Sequence, residues 1–188
     1  MHEQGVNIGE TKIAFLDRDG VINVDFGYVS SKQKFKLVDG FIEGVNYLIQ
    51  NNFIIVVITN QSGIARSYYT EKTFRNFSNW IYLYLKELNI SIKSTYYCPH
   101  HPLFSGWCDC RKPSPKMIIQ ALNDFHASPE NCLFIGDKDT DIEAASAAKI
   151  CRLHKLVSDE KISITQNYSI GNWKYFLDIE RGKHQACI

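Results

Sequence analysis

Three short runs that are apolar at nearly every position constrain this chain more than anything else: Lys12-Ile-Ala-Phe-Leu16, Phe53-Ile-Ile-Val-Val-Ile58 and Cys132-Leu-Phe-Ile135. A strand without a polar face must be covered on both sides, the condition of a parallel sheet flanked by helices. The intervening segments supply those helices. Gly40 to Asn51 carries Phe41, Val45, Leu48 and Ile49 at helical spacing, and Asn51-Asn52 ends it. Thr70 with Thr73 opens a longer amphipathic helix whose apolar face holds Phe74, Phe77, Ile81, Leu85 and Leu88. Ser114-Pro115, an N-cap followed by proline, starts a third helix that runs to about His126, and Thr140 to Lys149 reads as a fourth. Short strands are expected near Thr95 to Tyr97 and Ile150 to Leu153.

Strand and helix thus alternate, which predicts an α/β fold: a three-layer, Rossmann-like parallel sheet with helices on both faces. At 188 residues and 45% apolar content the chain can bury one core and is too short for two full domains. A polar tail over 1–11 and a single domain over 12–188, without a large cap domain, are expected. From Lys155 onward no strong period appears, although Trp173, Tyr175, Phe176 and Leu177 are candidates to pack back onto the domain. A formal net charge of +1 gives no footprint for nucleic acid. No apolar run approaches the roughly 20 residues of a membrane span, and the first residues lack a signal-peptide pattern. A cytoplasmic protein, without membrane or nucleic-acid partner and monomeric by default, is expected.

Each apolar run stops at a polar cluster: Asp17-Arg18-Asp19-Gly20, Thr59-Asn60-Gln61-Ser62-Gly63 and Gly136-Asp137-Lys138-Asp139. In parallel sheets, ligands bind beyond the strands' C-terminal ends, so these clusters can converge. Asp17 and Asp19 can serve as nucleophile and proton donor for cleavage of a phosphate ester, although such a pair alone is more often a solvated turn. A carboxylate and a phosphoryl dianion need compensating charge, for which Mg²⁺ held by Asp137 and the ammonium of Lys112 are the candidates. The Thr59 hydroxyl and the backbone N–H groups after it can bind phosphoryl oxygens; otherwise Thr59 is a cap.

Six cysteines are present, and three crowd into one stretch as Cys98-Pro-His100 and Cys108-Asp-Cys110. Three thiolates and an imidazole in two half-sites suit tetrahedral Zn²⁺. Four protein ligands close the coordination sphere, so this zinc would be structural, pinning the loop that carries Arg111 and Lys112. His101 is expected to face solvent or support a ligand, and Cys132, Cys151 and Cys187 to be core thiols.

Phe15-Leu-Asp-Arg-Asp-Gly-Val21, Thr59-Asn60, Arg111-Lys112-Pro113 and Gly136-Asp-Lys-Asp-Thr-Asp141 resemble, in order, the four motifs of haloacid dehalogenase phosphatases. The resemblance implies an aspartyl-phosphate on Asp17, with Asp19 acting as general acid and then base and ligating Mg²⁺ through its backbone carbonyl. It assigns phosphoryl stabilisation to Thr59 and Lys112, and Mg²⁺ to Asp17 and Asp137. Lys138 would support metal or phosphate, and Asp141 would orient Lys112 or a metal-bound water. The zinc loop resembles that of a subgroup shared by heptose bisphosphate phosphatases and histidinol phosphate phosphatases. Asn23 to Tyr28, Thr59 to Arg66 and Tyr96 to Pro102 are similar to the heptose enzymes, a resemblance that spans roughly Lys12 to Ala148. It implies a small phosphorylated sugar as substrate, with cleavage of the 7-phosphate of D-glycero-D-manno-heptose 1,7-bisphosphate on the way to lipopolysaccharide or related glycans. Asp25, Phe26, Gly27 and Tyr28, with Asn60, Gln61, Ser62 and Lys138, would line the pocket, and Arg111 would meet the distal phosphate. The zinc loop is shorter here than in many of those enzymes. Histidinol phosphate phosphatase is the alternative, and an inactive zinc-stapled binding protein the alternative of another class.

Overall fold

The computed structural model describes residues 11–157, 163–165 and 168–182. Cys187 and nearly all of the expected tail over 1–11 lie outside the described residues.

The chain runs β1 (Lys12–Leu16), α1 (Phe41–Gln50), β2 (Phe53–Asn60), α2 (Glu71–Glu87), β3 (Ile92–Cys98), α3 (Pro102–Ser105), α4 (Lys116–Asp124), β4 (Leu133–Gly136), α5 (Asp139–Ala147), β5 (Arg152–Leu156), β6 (Ser163–Ile164), β7 (Ser169–Gly171) and α6 (Trp173–Glu180). The strands form one sheet in the order β3-β2-β1-β4-β5-β7-β6. Pairing is parallel from β3 through β7, and among the described strands only β6 runs antiparallel, against β7.

The period of two in the strands divides the core into two layers. Ile13 and Phe15 of β1, with Val56, Ile58 and Phe134, pack against Met117, Ile118 and Ala121 of α4 and Ile142 and Ala145 of α5. Ala14 and Leu16, with Ile55, Val57, Leu133 and Ile135, meet α1, α2 and α6 on the other face. The expected α/β architecture is therefore present, with helices on both faces.

Several boundaries move for physical reasons. β2 continues through Thr59 and Asn60 because Tyr97 and Cys98 of β3 supply backbone partners there, so pairing, not polarity, sets the strand's end. The helix predicted from Ser114-Pro115 starts at Lys116, and the Ser114 hydroxyl accepts the Lys116 N–H at 3.3 Å. β5 begins at Arg152, beyond the expected Ile150, because the Ile150 N–H is spent closing α5 on Ala145 O at 3.0 Å. That turn leaves Cys151 exposed, which corrects its reading as a core thiol; Cys132 is fully buried.

The larger correction is the tail, which lacked a strong period in sequence yet adds β6, β7 and α6 and makes the sheet mixed. Its strands span only two and three residues, and α6 eight, too few turns for a periodic signal. Trp173 docks this unit: fully buried, it lies so close to α1 that a Cβ on Gly44 would sit 2.1 Å from its ring. Its indole N–H donates to Val21 O at 3.1 Å, tying the tail to the loop that follows β1.

His154 of β5 is 3% exposed, hydrogen-bonded to Ser169 and packed edge-on against Phe176. Burial pushes its pKa from 6.5 down to about 4. The unfolded chain therefore binds the extra proton first, so the stability this neutral ring contributes is complete above pH 6.5 and drains away between pH 6.5 and 4. The expected loss is at most about 3 kcal/mol. Urea midpoints measured from pH 7 to pH 4.5 should fall more steeply for the native protein than for His154→Phe, and parallel slopes would contradict the assignment.

Candidate active site

The sheet reverses its direction of winding between β1 and β4, the place where parallel α/β sheets open a crevice. Asp17 follows β1, and its N–H donates to Ile135 O at 3.0 Å, fastening the two strand ends together. The approach of the next turn to Asp137 is closer than any side chain permits. At Gly20, with φ +91, a Cβ would lie 2.4 Å from the Asp137 carboxylate, so only glycine fits.

Lys112 reaches this point from the loop before α4. Its ammonium donates to Asp17 Oδ1 at 2.8 Å and Ile58 O at 2.7 Å and pairs with Asp141 Oδ1 at 2.6 Å, which uses all of its donors. The loop is clamped by Asn60, whose carboxamide accepts the Lys112 N–H at 3.1 Å and donates to Lys112 O at 3.2 Å. Burial pushes the Lys112 pKa down, but Asp141 and Asp17 outweigh it and hold the group above its ordinary value. Asp141, 1% exposed, also accepts the N–H groups of Asp137 and Lys138, both at 3.1 Å.

Asp19 is held by three donors: Arg18 at 2.6 Å, Asn23 at 2.9 Å and Gln61 at 3.1 Å. Gln61 also donates to Thr59 Oγ1 at 3.0 Å and accepts from the Tyr69 hydroxyl at 2.7 Å. Gln61 thus works as a buried bracket. Thr59 is 1% exposed and sits behind this bracket, not on the cavity wall. Tyr69 escaped the sequence reading; nothing in its local pattern distinguishes it from the aromatic residues of the neighbouring core.

These groups open into a cavity of about 610 Å³, within the range of small-molecule sites. Asp25, Gly27, Tyr28, Ser62, Arg111 and Lys138 lie on its wall, together with Asn60 and Gln61. Phe26 does not; it is 59% exposed and off the wall. Lys138 pairs with Asp25 at 3.2 Å and Asp137 at 3.6 Å, so a cation spans the rim.

Negative charge is crowded at and beneath the floor, where Asp17 and Asp141 line the cavity and Asp137 lies behind them. Asp17, Asp137 and Asp141 each place a carboxylate oxygen within 4.8 Å of the others. Burial, with Lys112 pulling the other way, pushes Asp17 up to about 6. Burial and the charge of Asp17 push Asp137 up to about 7. Asp137 Oδ1 is buried without a hydrogen-bond partner. Because Asp141 is committed to Lys112 and two N–H groups, Asp17 and Asp137 are the oxygens left for a hard cation, and the donor set fits Mg²⁺.

A second cluster joins Cys98 and His100, at and just beyond the end of β3, to Cys108 and Cys110. Cys98 Sγ lies 3.5 Å from Cys108 Sγ and 3.7 Å from His100 Nδ1, and Cys110 Sγ lies 3.3 Å from that nitrogen and 3.6 Å from Cys108 Sγ. Cys98 and Cys110 approach more closely, to 2.7 Å. A tetrahedral site with bonds of about 2.3 Å has edges near 3.7 Å, so the cluster can bind a metal. His101 stays outside it, 2.8 Å from the Arg66 guanidinium.

Comparison with known proteins agrees with this geometry. The HAD-hydrolase-like family model matches residues 109–153, the segment from the Cys/His loop to β5. The D-glycero-beta-D-manno-heptose-1,7-bisphosphate 7-phosphatase of Haemophilus influenzae is 40% identical over 143 residues, covering 74% of this chain and 78% of the relative. Its counterpart in Escherichia coli K12 is 43% identical over 141 residues, covering 72% of this chain and 74% of the relative. The D,D-heptose 1,7-bisphosphate phosphatase of B. bronchiseptica, solved with magnesium and phosphate, superposes with a TM-score of 0.78 at 23% identity, covering 93% of this chain and 99% of that one, which shows the shared fold. With Asp17, Asp19, Lys112 and Asp141 lining one strand-end cavity and this identity over most of its length, the chain belongs to the D-glycero-β-D-manno-heptose-1,7-bisphosphate 7-phosphatase family of HAD-like hydrolases.

Proposed function

We propose that this protein, one phosphatase domain over 12–188, hydrolyses the 7-phosphate of D-glycero-D-manno-heptose 1,7-bisphosphate in the cytoplasm, as a monomer, through an aspartyl-phosphate on Asp17. The observation that carries the reading is the Asp17–Lys112 pair at 2.8 Å, facing a cavity rimmed by Arg111 and Lys138, in a chain 40% identical to an enzyme of that name. The free oxygen of Asp17 attacks phosphorus, forming the acyl-phosphate bond as the bond to the sugar oxygen breaks. Asp19, oriented by Arg18, Asn23 and Gln61, gives that oxygen its proton. Asp19 then takes a proton from the water that attacks the acyl phosphate, releasing phosphate and restoring Asp17. Lys112 neutralises the phosphoryl oxygens, held in place by Asp141 and by the Asn60 clamp, while Thr59, behind the cavity wall, braces the Gln61 carboxamide that orients Asp19.

Asp17, Asp137 and the backbone carbonyl of Asp19 would hold Mg²⁺, which supplies charge compensation between carboxylate and phosphate. Cys98, His100, Cys108 and Cys110 would hold a structural Zn²⁺ that fixes the approach to Arg111 and Lys112. Arg111, as a planar fork of donors, suits the distal phosphate, and Asp25, Gly27, Tyr28 and Ser62 suit the sugar. Phosphate release in Mg²⁺ should favour one anomer of the heptose bisphosphate over histidinol phosphate by about 10²-fold or more in kcat/KM, because a site built to bond hydroxyls rejects ligands that lack them. Faster release from histidinol phosphate would overturn the assignment.

A further inference from the structure

The cavity mouth carries aromatic surface that folding does not require. Trp107 lies on the cavity wall yet is 85% exposed, in a protein whose large apolar side chains are otherwise mostly buried. An indole left in water forgoes the burial that would stabilise it by about 2 kcal/mol, so one retained at the rim of a ligand cavity points to a ligand that covers it.

The loop that carries Trp107 is anchored near both of its ends. Trp107 stands between Gly106, whose φ of +77 turns the chain, and Cys108 of the Cys/His cluster. At the other end of the same loop the Arg66 guanidinium lies 4.5 Å from the Phe104 ring and 5.9 Å from that of Tyr28, and it reaches His101 at 2.8 Å. Tyr28 meets Tyr68 edge-on at 4.7 Å. Loops following β1, β2 and β3 are thereby cross-braced through one cation, and an indole with only two side-chain torsions on that braced loop loses little entropy when a ligand covers it.

The chemistry of the walls says what it would cover. Arg111, Lys112 and Lys138 provide the positive charge for phosphates, and Asp25, Asn60 and Ser62 provide hydrogen-bonding edges. Trp107 carries no charge and, apart from its single indole N–H, offers only an aromatic surface. Its flat apolar face is complementary to the one surface of a cyclic sugar that carries C–H bonds and no hydroxyls. We propose that Trp107 is a specificity-determining residue whose indole stacks on the C–H face of a cyclic sugar phosphate. The inference rests on the sugar-phosphate reading above.

The test compares Trp107→Ala and Trp107→Phe with the native enzyme on the heptose bisphosphate and on acetyl phosphate, which has no ring. Trp107→Ala should lower the ratio of the two kcat/KM values about tenfold, mainly through KM for the sugar, and Trp107→Phe should restore most of it. A ratio that moves less than about twofold, or an equal fall on both substrates, would overturn the role. If the heptose bisphosphate is not turned over while another cyclic sugar phosphate is, the ratio is read on that sugar; the substrate assignment then fails and the role of Trp107 is decided independently. If acetyl phosphate alone is accepted, both fall. Binding gives a second readout: cyclic sugar phosphate added to the Asp17→Asn protein should change tryptophan emission, and that change should vanish on adding Trp107→Phe, since the other two tryptophans, Trp80 and Trp173, pack in or against the core and do not line the cavity.

Discussion

Asp17→Asn is expected to abolish phosphate release, lowering kcat by at least about 10³-fold, without unfolding the protein. Asparagine keeps the shape of the side chain but offers a weakly nucleophilic amide where an aspartyl-phosphate must form. Removing one member of a buried ion pair commonly costs several kcal/mol because the partner's charge is left alone. Here the partner is not left alone: the Lys112 ammonium retains Asp141 at 2.6 Å and Ile58 O at 2.7 Å. The carboxylate removed is also one that burial already pushes up to about 6 and that lies beside Asp137 and Asp141. Its loss relieves repulsion, so the melting temperature without Mg²⁺ should stay level or rise. Turnover above a few per cent of the native rate, in protein shown by mass to carry asparagine, would remove Asp17 from the mechanism.

Cys108→Ser is expected to release the metal of the second cluster and lower kcat/KM by about 10²-fold, while leaving the sheet folded. A single residue separates Cys108 from Cys110, and Arg111 and Lys112 follow at once, so freeing the loop moves the groups proposed to meet phosphate. The effect is held to that size because Lys112 has a second anchor: both ends of the Asn60 carboxamide bind its backbone, independently of the cluster. Metal analysis should show one metal ion lost per chain, zinc on the reading proposed above, and proteolysis should open first in the segment between His101 and Trp107. A variant that keeps its full metal content and its activity would show that the cluster does not support the site. The Cys108→Ser and Asn60→Ala changes should then be more than additive together, since each removes one of two anchors on the same loop.

The architecture was legible in the sequence because its signals are local. A run of apolar residues from Phe53 to Ile58 has one use as a strand, and the spacing of Phe74, Phe77, Ile81 and Leu85 places them on one helix face whatever lies opposite. The same holds for Asp17 and Asp19 and for Cys98, His100, Cys108 and Cys110, which covalent spacing keeps within reach of their neighbours. Only the tertiary structure decided which distant groups meet. Asn60 clamps Lys112 from 52 positions away, and Trp173 ties the tail to Val21 across 152. Those contacts follow from a strand order that sets β1 between β2 and β4, and nothing in the composition of any one segment encodes that order. The tail escaped for a related reason: strands of two and three residues and one short helix carry no period, and form because a sheet edge and the Gly44 gap already await them. Trp107 and Arg66 belong to the same class, since an aromatic or a cation becomes part of a site only through what folding sets beside it. Local pattern settles what each element is, because it depends on backbone geometry over a few residues; the site's second layer depends on long-range packing, where the free energy lies in pairs of residues that the linear chain keeps apart.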